Sequence, residues 1–109
     1  MRHHRPERIS DLIIEELNKI ILKELEFPGA LVTITDAAVT PKLDYAIIKF
    51  SVLPSEKSQE VLKILGKMQP HLQYLLIRKL NIRPVPKISF KIDLGLEKAA
   101  KVEKALLDD

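Results

Sequence analysis

The chain has no cysteine, no tryptophan and only three glycines among its 109 residues. Without cysteine there is no disulfide framework, no thiol nucleophile and no cysteine-based zinc site. Three scattered glycines, at 29, 66 and 95, cannot build a phosphate-cradling loop, and neither G-x-x-x-x-G-K, G-x-S-x-G nor H-E-x-x-H occurs. Long hydrophobic runs are missing too: none exceeds four residues, as at 45–48, against the roughly 20 that a membrane helix needs. The basic start Met1-Arg-His-His-Arg is not followed by the apolar stretch of about 7 to 15 residues that a secretory signal carries. We therefore expect a cytoplasmic protein with no membrane partner.

What is present is aliphatic. Hydrophobic residues make up 46% and aromatics 5%, so the core must come from Leu and Ile with Val and Ala. Charged residues at 30%, interspersed with apolar ones, argue against disorder, which combines low hydrophobicity with high net charge. The length suits one domain with one core, spanning residues 1–109. The formal charge of +3 conceals a segregation. Residues 61–91 hold Lys63, Lys67, Arg78, Lys79, Arg83, Lys87 and Lys91 and no carboxylate, a local +7. Such segregation is either a solvated basic face or the footprint of a polyanionic partner.

Apolar residues Ile9, Leu12, Ile13, Leu17, Ile20, Ile21 and Leu25 recur at helical spacing from Pro6 onward. Pro6 suits a first helical position and Glu7 the positive end of the dipole. Pro28-Gly29 turns the chain. Leu31 to Val39 and Tyr45 to Leu53 read as a hairpin of two strands around a turn at residues 40–44. A helix follows, with Ser55 or Ser58 as its N-cap and Val61, Ile64, Leu65 and Met68 facing inward. Pro70 removes a backbone donor and clashes with the preceding turn, which predicts a second helix meeting the first at an angle around Gln69 and burying Leu72, Leu75, Leu76 and Leu80. Prolines 84 and 86 force an extended connection into a third strand from Lys87, with Ile88, Phe90 and Ile92 inward. We expect residues 1–5 to be mobile and 94–109 to form either a short helix or a tail.

Catalytic chemistry has little to stand on. His3 and His4 lie near the terminus, His71 is isolated, and the adjacent Glu15 and Glu16 do not face one another on a helix. We expect no enzyme activity, no metal, no cofactor and no small-molecule substrate. The second helix instead places His71, Tyr74 and Arg78 at i, i+3 and i+7, and Lys63 and Lys67 are four apart on the first. Aromatic rings and guanidinium planes stack unpaired bases while lysines contact phosphates, an arrangement that suits RNA. For Tyr74 the alternative is an ordinary half-buried aromatic with a wet hydroxyl, and for His71 a surface or capping residue. Arg83, between Lys79 and Lys87, either meets the same ligand or caps the carbonyls that end the helix.

The order helix, strand, strand, helix, bend, helix, strand is that of an α+β type II KH domain. Such a domain has a three-stranded mixed sheet with helices on one face and usually a G-x-x-G clamp in the turn between its consecutive helices. Here that turn reads Lys67-Met-Gln-Pro-His and lacks the motif. Arg5-Pro-Glu-Arg-Ile, the stretch from Glu24 to Pro28, Val32-Thr-Ile-Thr, the strand at 45–53 and the run from Leu80 to Phe90 together resemble the bacterial ribosome-binding factor A family. The resemblance spans Arg5 to about Leu107.

It implies a KH-like fold kinked at an alanine instead of G-x-x-G, and an assembly factor that binds the small (30S) ribosomal subunit and 16S rRNA during late maturation, with a link to cold adaptation. Arg5, Arg8, Arg83 and Pro86 match the family pattern. Met68 and Pro70 replace its kink alanine and glycine, Gln73 replaces a frequent arginine, and Phe27-Pro28-Gly29 replaces Asp-Pro-Arg. We thus expect RNA contacts from Arg5, Arg8, Lys63, Lys67, His71, Tyr74, Arg78, Lys79, Arg83 and Lys87, in a monomer. A general KH-like module for single-stranded RNA or DNA, and an interaction domain whose basic face meets an acidic protein, remain the alternatives.

Overall fold

A computed structural model describes residues 6–95. Arg5, the expected mobile start and the expected helix or tail beyond residue 95 lie outside the described residues. Helix α1 (Pro6–Glu24) begins at the proline that the sequence marks, and its apolar stripe buries Ile9, Ile13, Leu17, Ile20 and Ile21. Gly29, at φ 71°, makes the turn into β1 (Leu31–Val39). Strand β2 (Tyr45–Leu53) pairs antiparallel with β1, and the Thr40 hydroxyl accepts hydrogen bonds from the Asp44 and Tyr45 N–H groups to hold the connecting turn. A single 3-10 turn (Ser55–Lys57) leads into α2 (Ser58–Lys79), and β3 (Lys87–Ile92) closes the order.

The sheet runs β1-β2-β3, with β3 parallel to the central β2. Parallel pairing of β3 with β2 requires a crossover, and α2 supplies it. Both helices pack on one face. Ala46, Ile48, Phe50 and Val52 of β2 and Ile88 of β3 are buried there against Leu65, Leu72 and Leu76 of α2 and the α1 stripe, in one cluster. Phe50 meets Phe90 edge to face, with ring centroids 6.5 Å apart. The fold is thus the expected α+β, KH-like frame with a three-stranded mixed sheet and helices on one side.

Two expectations need correction. First, α2 is one helix of 22 residues with Pro70 inside it, not two helices meeting at Gln69. An internal proline costs about 3 kcal/mol, but Gly66 and Pro70 face solvent, so water can reach the Gly66 carbonyl that loses its donor. Val61 and Leu65 before the proline and Leu72 and Leu76 after it are buried in the same core, which keeps both halves in one continuous helix. Second, neither Ser55 nor Ser58 caps α2. Lys57 is at the N-cap without a side-chain bond, and the preceding 3-10 turn satisfies the Ser58 N–H through the Ser55 carbonyl. The structure also breaks strict alternation in β1. A bulge between Ile34 and Asp36 shifts the register, so that Ile34 and Ala37, three apart, both point into the core.

Candidate nucleic-acid interface

Continuity of α2 changes the geometry of its basic residues. Lys63, Lys67, His71, Tyr74 and Arg78 succeed one another at spacings of four, four, three and four, so on one helix they form a single exposed stripe. Fifteen residues at 1.5 Å each make the stripe about 22 Å long. No ion pair within 4 Å involves any of these cations among the described residues. Like charges at i, i+4 destabilise a helix by about 0.2–0.5 kcal/mol, and α2 bears this at Lys63 and Lys67, with Glu60, one turn before Lys63, the nearest carboxylate on the helix and not within 4 Å of it.

At the C-terminal end the stripe acquires structure. The Arg78 guanidinium stands over the Tyr74 ring at 5.7 Å from its centroid and donates to the Tyr74 hydroxyl at 3.1 Å. Tyr74 is 53% exposed. Arg78 fixes one side of the ring, and about half of its surface stays open. Two grooves meet at Arg78. One, against α1, is lined by Lys19, Lys23, Leu75, Arg78 and Lys79 together with Glu16 and Glu24. The other, under the connection to β3, is lined by Ile77, Arg78, Asn81, Arg83 and Pro84. The structure thus brings Arg78 together with Tyr74, Lys79 and Arg83. Arg83 is exposed, and the last turn of α2 is closed by the Leu80 N–H on the Leu76 carbonyl instead of by its side chain. Lys87 opens β3 on the sheet face turned away from the helices, beside Tyr45. Arg8 is exposed in the first turn of α1, and nothing joins it to the groove residues.

Sequence reasoning missed two contributors. On sequence alone, Asp11, Glu15, Lys19 and Lys23, each four apart on one face of α1, suggest solvent-side ion pairing. Lys19 does pair with Glu15 at 3.2 Å and lies 3.7 Å from Glu16. The Glu15 hydrogen bond, together with the charges of both acids, raises its ammonium above the usual lysine value. Among the described residues Lys23 has no such partner, and it faces the groove beside Arg78 and Lys79. The i+4 spacing of Lys19 and Lys23 was visible, but their nearness to the end of α2 depends on the helix crossing.

The second omission is Gln73. Its carbonyl oxygen accepts from the Ile88 N–H at 2.8 Å, and its amide donates to the Pro86 carbonyl at 3.0 Å. Gln69 reinforces the pair, donating to the Ile88 carbonyl at 3.0 Å and to Gln73 at 3.3 Å. These bonds tie the segment carrying Arg83 and Lys87 to α2 and so fix the cations of the connection relative to those of the helix. An arginine, which has no acceptor, could not take the Ile88 N–H, so a glutamine at 73 serves the chain's own backbone.

The model of the family described as "Ribosome-binding factor A" matches residues 5–106. The chain belongs to the ribosome-binding factor A family. Among curated members, ribosome-binding factor A of Desulforamulus reducens is 33% identical over 105 residues, covering 94% of this chain and 88% of the relative. Ribosome-binding factor A of Fusobacterium nucleatum is 32% identical over 117 aligned positions, covering 99% and 98%. The crystal structure of ribosome-binding factor A from Thermus thermophilus superposes with a TM-score of 0.71 over 82% of this chain and 97% of that one, at 18% identity. The fold is therefore kept where most side chains have changed. Among the described residues of this ribosome-binding factor A family member, no group of three or more His, Asp or Glu is placed to hold a metal ion, and no helix is long and apolar enough to cross a membrane.

Proposed function

We propose that the chain is a non-enzymatic, single-domain, cytoplasmic factor that binds immature small ribosomal subunits through 16S rRNA and assists late maturation of that RNA. The observation that carries this reading is the unbroken cationic stripe of α2, which ends in the Tyr74–Arg78 pair and the Lys79 and Arg83 side chains, on the frame of a family named for ribosome binding. Lysines and arginines that neutralise phosphates give an affinity that falls steeply with salt, whereas the shape of the helix and its grooves supplies the selectivity. Preferential binding to one rRNA conformation stabilises it, and release follows when the mature subunit no longer offers it. Arg5 and Arg8 add contacts from the start of the chain.

Sedimentation tests the reading. The protein is expected to co-migrate with free small subunits and their precursors. Charge reversal at Arg78, Lys79 and Arg83 is expected to abolish this with an unchanged circular dichroism spectrum. Retention at the top of the gradient would refute the reading. Tight binding to unstructured oligonucleotides alone would favour a general single-strand module, and nuclease-insensitive binding would favour an acidic protein partner.

A further inference from the structure

The sheet has a second face that neither helix covers. Its outward residues are Tyr45, Ile47 and Lys49 on β2 and Lys87, Ser89 and Lys91 on β3, and the parallel register sets them side by side as Tyr45 with Lys87, Ile47 with Ser89 and Lys49 with Lys91. Tyr45 is 60% exposed, and neither its ring nor its hydroxyl has a stacking or hydrogen-bonding partner among the described residues. Lysines directly opposite across a strand pair repel one another, and among the described residues neither Lys49 nor Lys91 has an ion pair within 4 Å, although the Asp93 charge acts on Lys49. The nearby carboxylates are Asp44, next to Tyr45 and bonded through its carbonyl to the Lys87 N–H, Asp36, the neighbour of Lys49 on β1, and Asp93. The two oxygens of Asp93 are taken by the Thr35 hydroxyl at 2.6 Å and the Gly95 N–H at 2.8 Å. The β2 and β3 rows themselves carry only positive charge. Lys87 and Lys91, four residues apart, span about 13 Å along β3.

We propose that this face is a second RNA surface, on which Tyr45 stacks an unpaired base while Lys87, Lys91 and Lys49 hold the phosphates beside it. The proposal rests on the ribosomal reading above and deepens it: the α2 stripe and the sheet face lie on different sides of the domain, so the protein bridges two stretches of the same rRNA. A flat surface with one exposed ring between lysines fits a base and its phosphates, because every base offers a π-face and stacking needs no pocket.

The chain has two tyrosines and no tryptophan, which makes the ring directly observable. In a Tyr74→Phe variant Tyr45 is the sole emitter, and titration with a mixed-sequence single-stranded RNA is expected to quench its fluorescence strongly. On purified small subunits, Tyr45→Ser is expected to weaken binding by about tenfold or more. A Lys49→Gln/Lys91→Gln double variant is expected to lower the slope of log affinity against log salt by about 1.5. Circular dichroism and thermal unfolding of both variants check that the sheet is intact. Unquenched Tyr45 emission, or parental affinity and salt slope in the folded variants, would overturn the proposal. If the Arg78, Lys79 and Arg83 reversal still abolished subunit binding, the ribosomal reading would stand without it. A parent chain that did not sediment with subunits would remove both.

Discussion

Replacing Gln73 by leucine tests whether one side chain holds the basic connection against α2. The substitution nearly preserves volume but deletes the acceptor of the Ile88 N–H and the donor to the Pro86 carbonyl. A buried backbone group left without a partner costs about 1–3 kcal/mol. Both bonds are only part-buried, so water recovers some of the loss and the lower end applies to each, giving about 2 kcal/mol in all. For a domain of about 100 residues this corresponds to a fall in Tm of about 8 °C. Amide exchange locates the effect: 2 kcal/mol opens the Ile88 N–H about thirtyfold more often, while amides in the middle of β2 change only with global stability. Gln69→Leu leaves the Ile88 N–H paired with Gln73 and should cost about half as much. With the connection untethered, the salt slope of RNA binding should fall by about 1, as one phosphate contact is lost. A Tm within about 2 °C of the parent, with Ile88 exchanging no faster, would refute the tether.

Other expectations are independent of RNA. Leu72→Ala removes a fully buried side chain from the middle of α2 and should destabilise by about 2–5 kcal/mol in denaturant unfolding. Gly66→Ala should stabilise by about 0.5–1 kcal/mol in the same assay, because the helix there faces open space and an added Cβ meets nothing within 4 Å. The Asp93 carboxyl is held below its ordinary value of 3.8, chiefly by the Thr35 hydroxyl, then by the Gly95 N–H and less by the Lys49 charge. A lowered folded-state pKa means that its stabilisation is complete above the unfolded value and disappears as pH falls through the folded one. The difference in unfolding midpoint between parent and Asp93→Ala should therefore persist at neutral pH and shrink below about pH 4. A difference that grew on acidification would show that the carboxylate contributes nothing.

Much of the fold was legible because each element announces itself locally. Pro6 starts α1, the 3.6-residue stripe from Ile9 to Ile21 marks its face, and the alternation of Tyr45 to Leu53 marks a strand whose buried and exposed residues follow period two. Where the sequence misled, a local rule met a tertiary force. Pro70 is a helix breaker by its own chemistry, yet core burial before and after it keeps α2 in one piece. The bulge at Ile34 and Asp36 left a trace, since Ile34 and Ala37 are both apolar at odd spacing, but a trace of that kind does not say which residue is extra. The candidate site was legible as an inventory of cations without a geometry. That Lys63 and Arg78 share one face required an unbroken helix, and that Lys23 joins them required the crossing of α1 over α2. Gln73 was noticed only as an absent arginine, because its partners are backbone atoms that no side-chain pattern encodes.

The amide pair on β3 has a counterpart on the opposite flank. Asn18 of α1 accepts from the Ile34 N–H at 2.9 Å and donates to the Ile34 carbonyl at 3.2 Å, and Ser10 donates to the Ala37 carbonyl at 2.6 Å. In a sheet of three strands only the middle one is naturally shielded, and the outer two offer free peptide groups on which another chain can template itself. Here helix side chains occupy those groups at Ile34 and Ala37 on one edge and at Pro86 and Ile88 on the other. A strand from a second copy, or from an unfolded neighbour, would have to displace glutamine, asparagine and serine before it could pair. The two edges are in this respect guarded at these positions. Surface positions that look like ordinary polar residues of two amphipathic helices are therefore ones where alanine or leucine would be expected to promote aggregation.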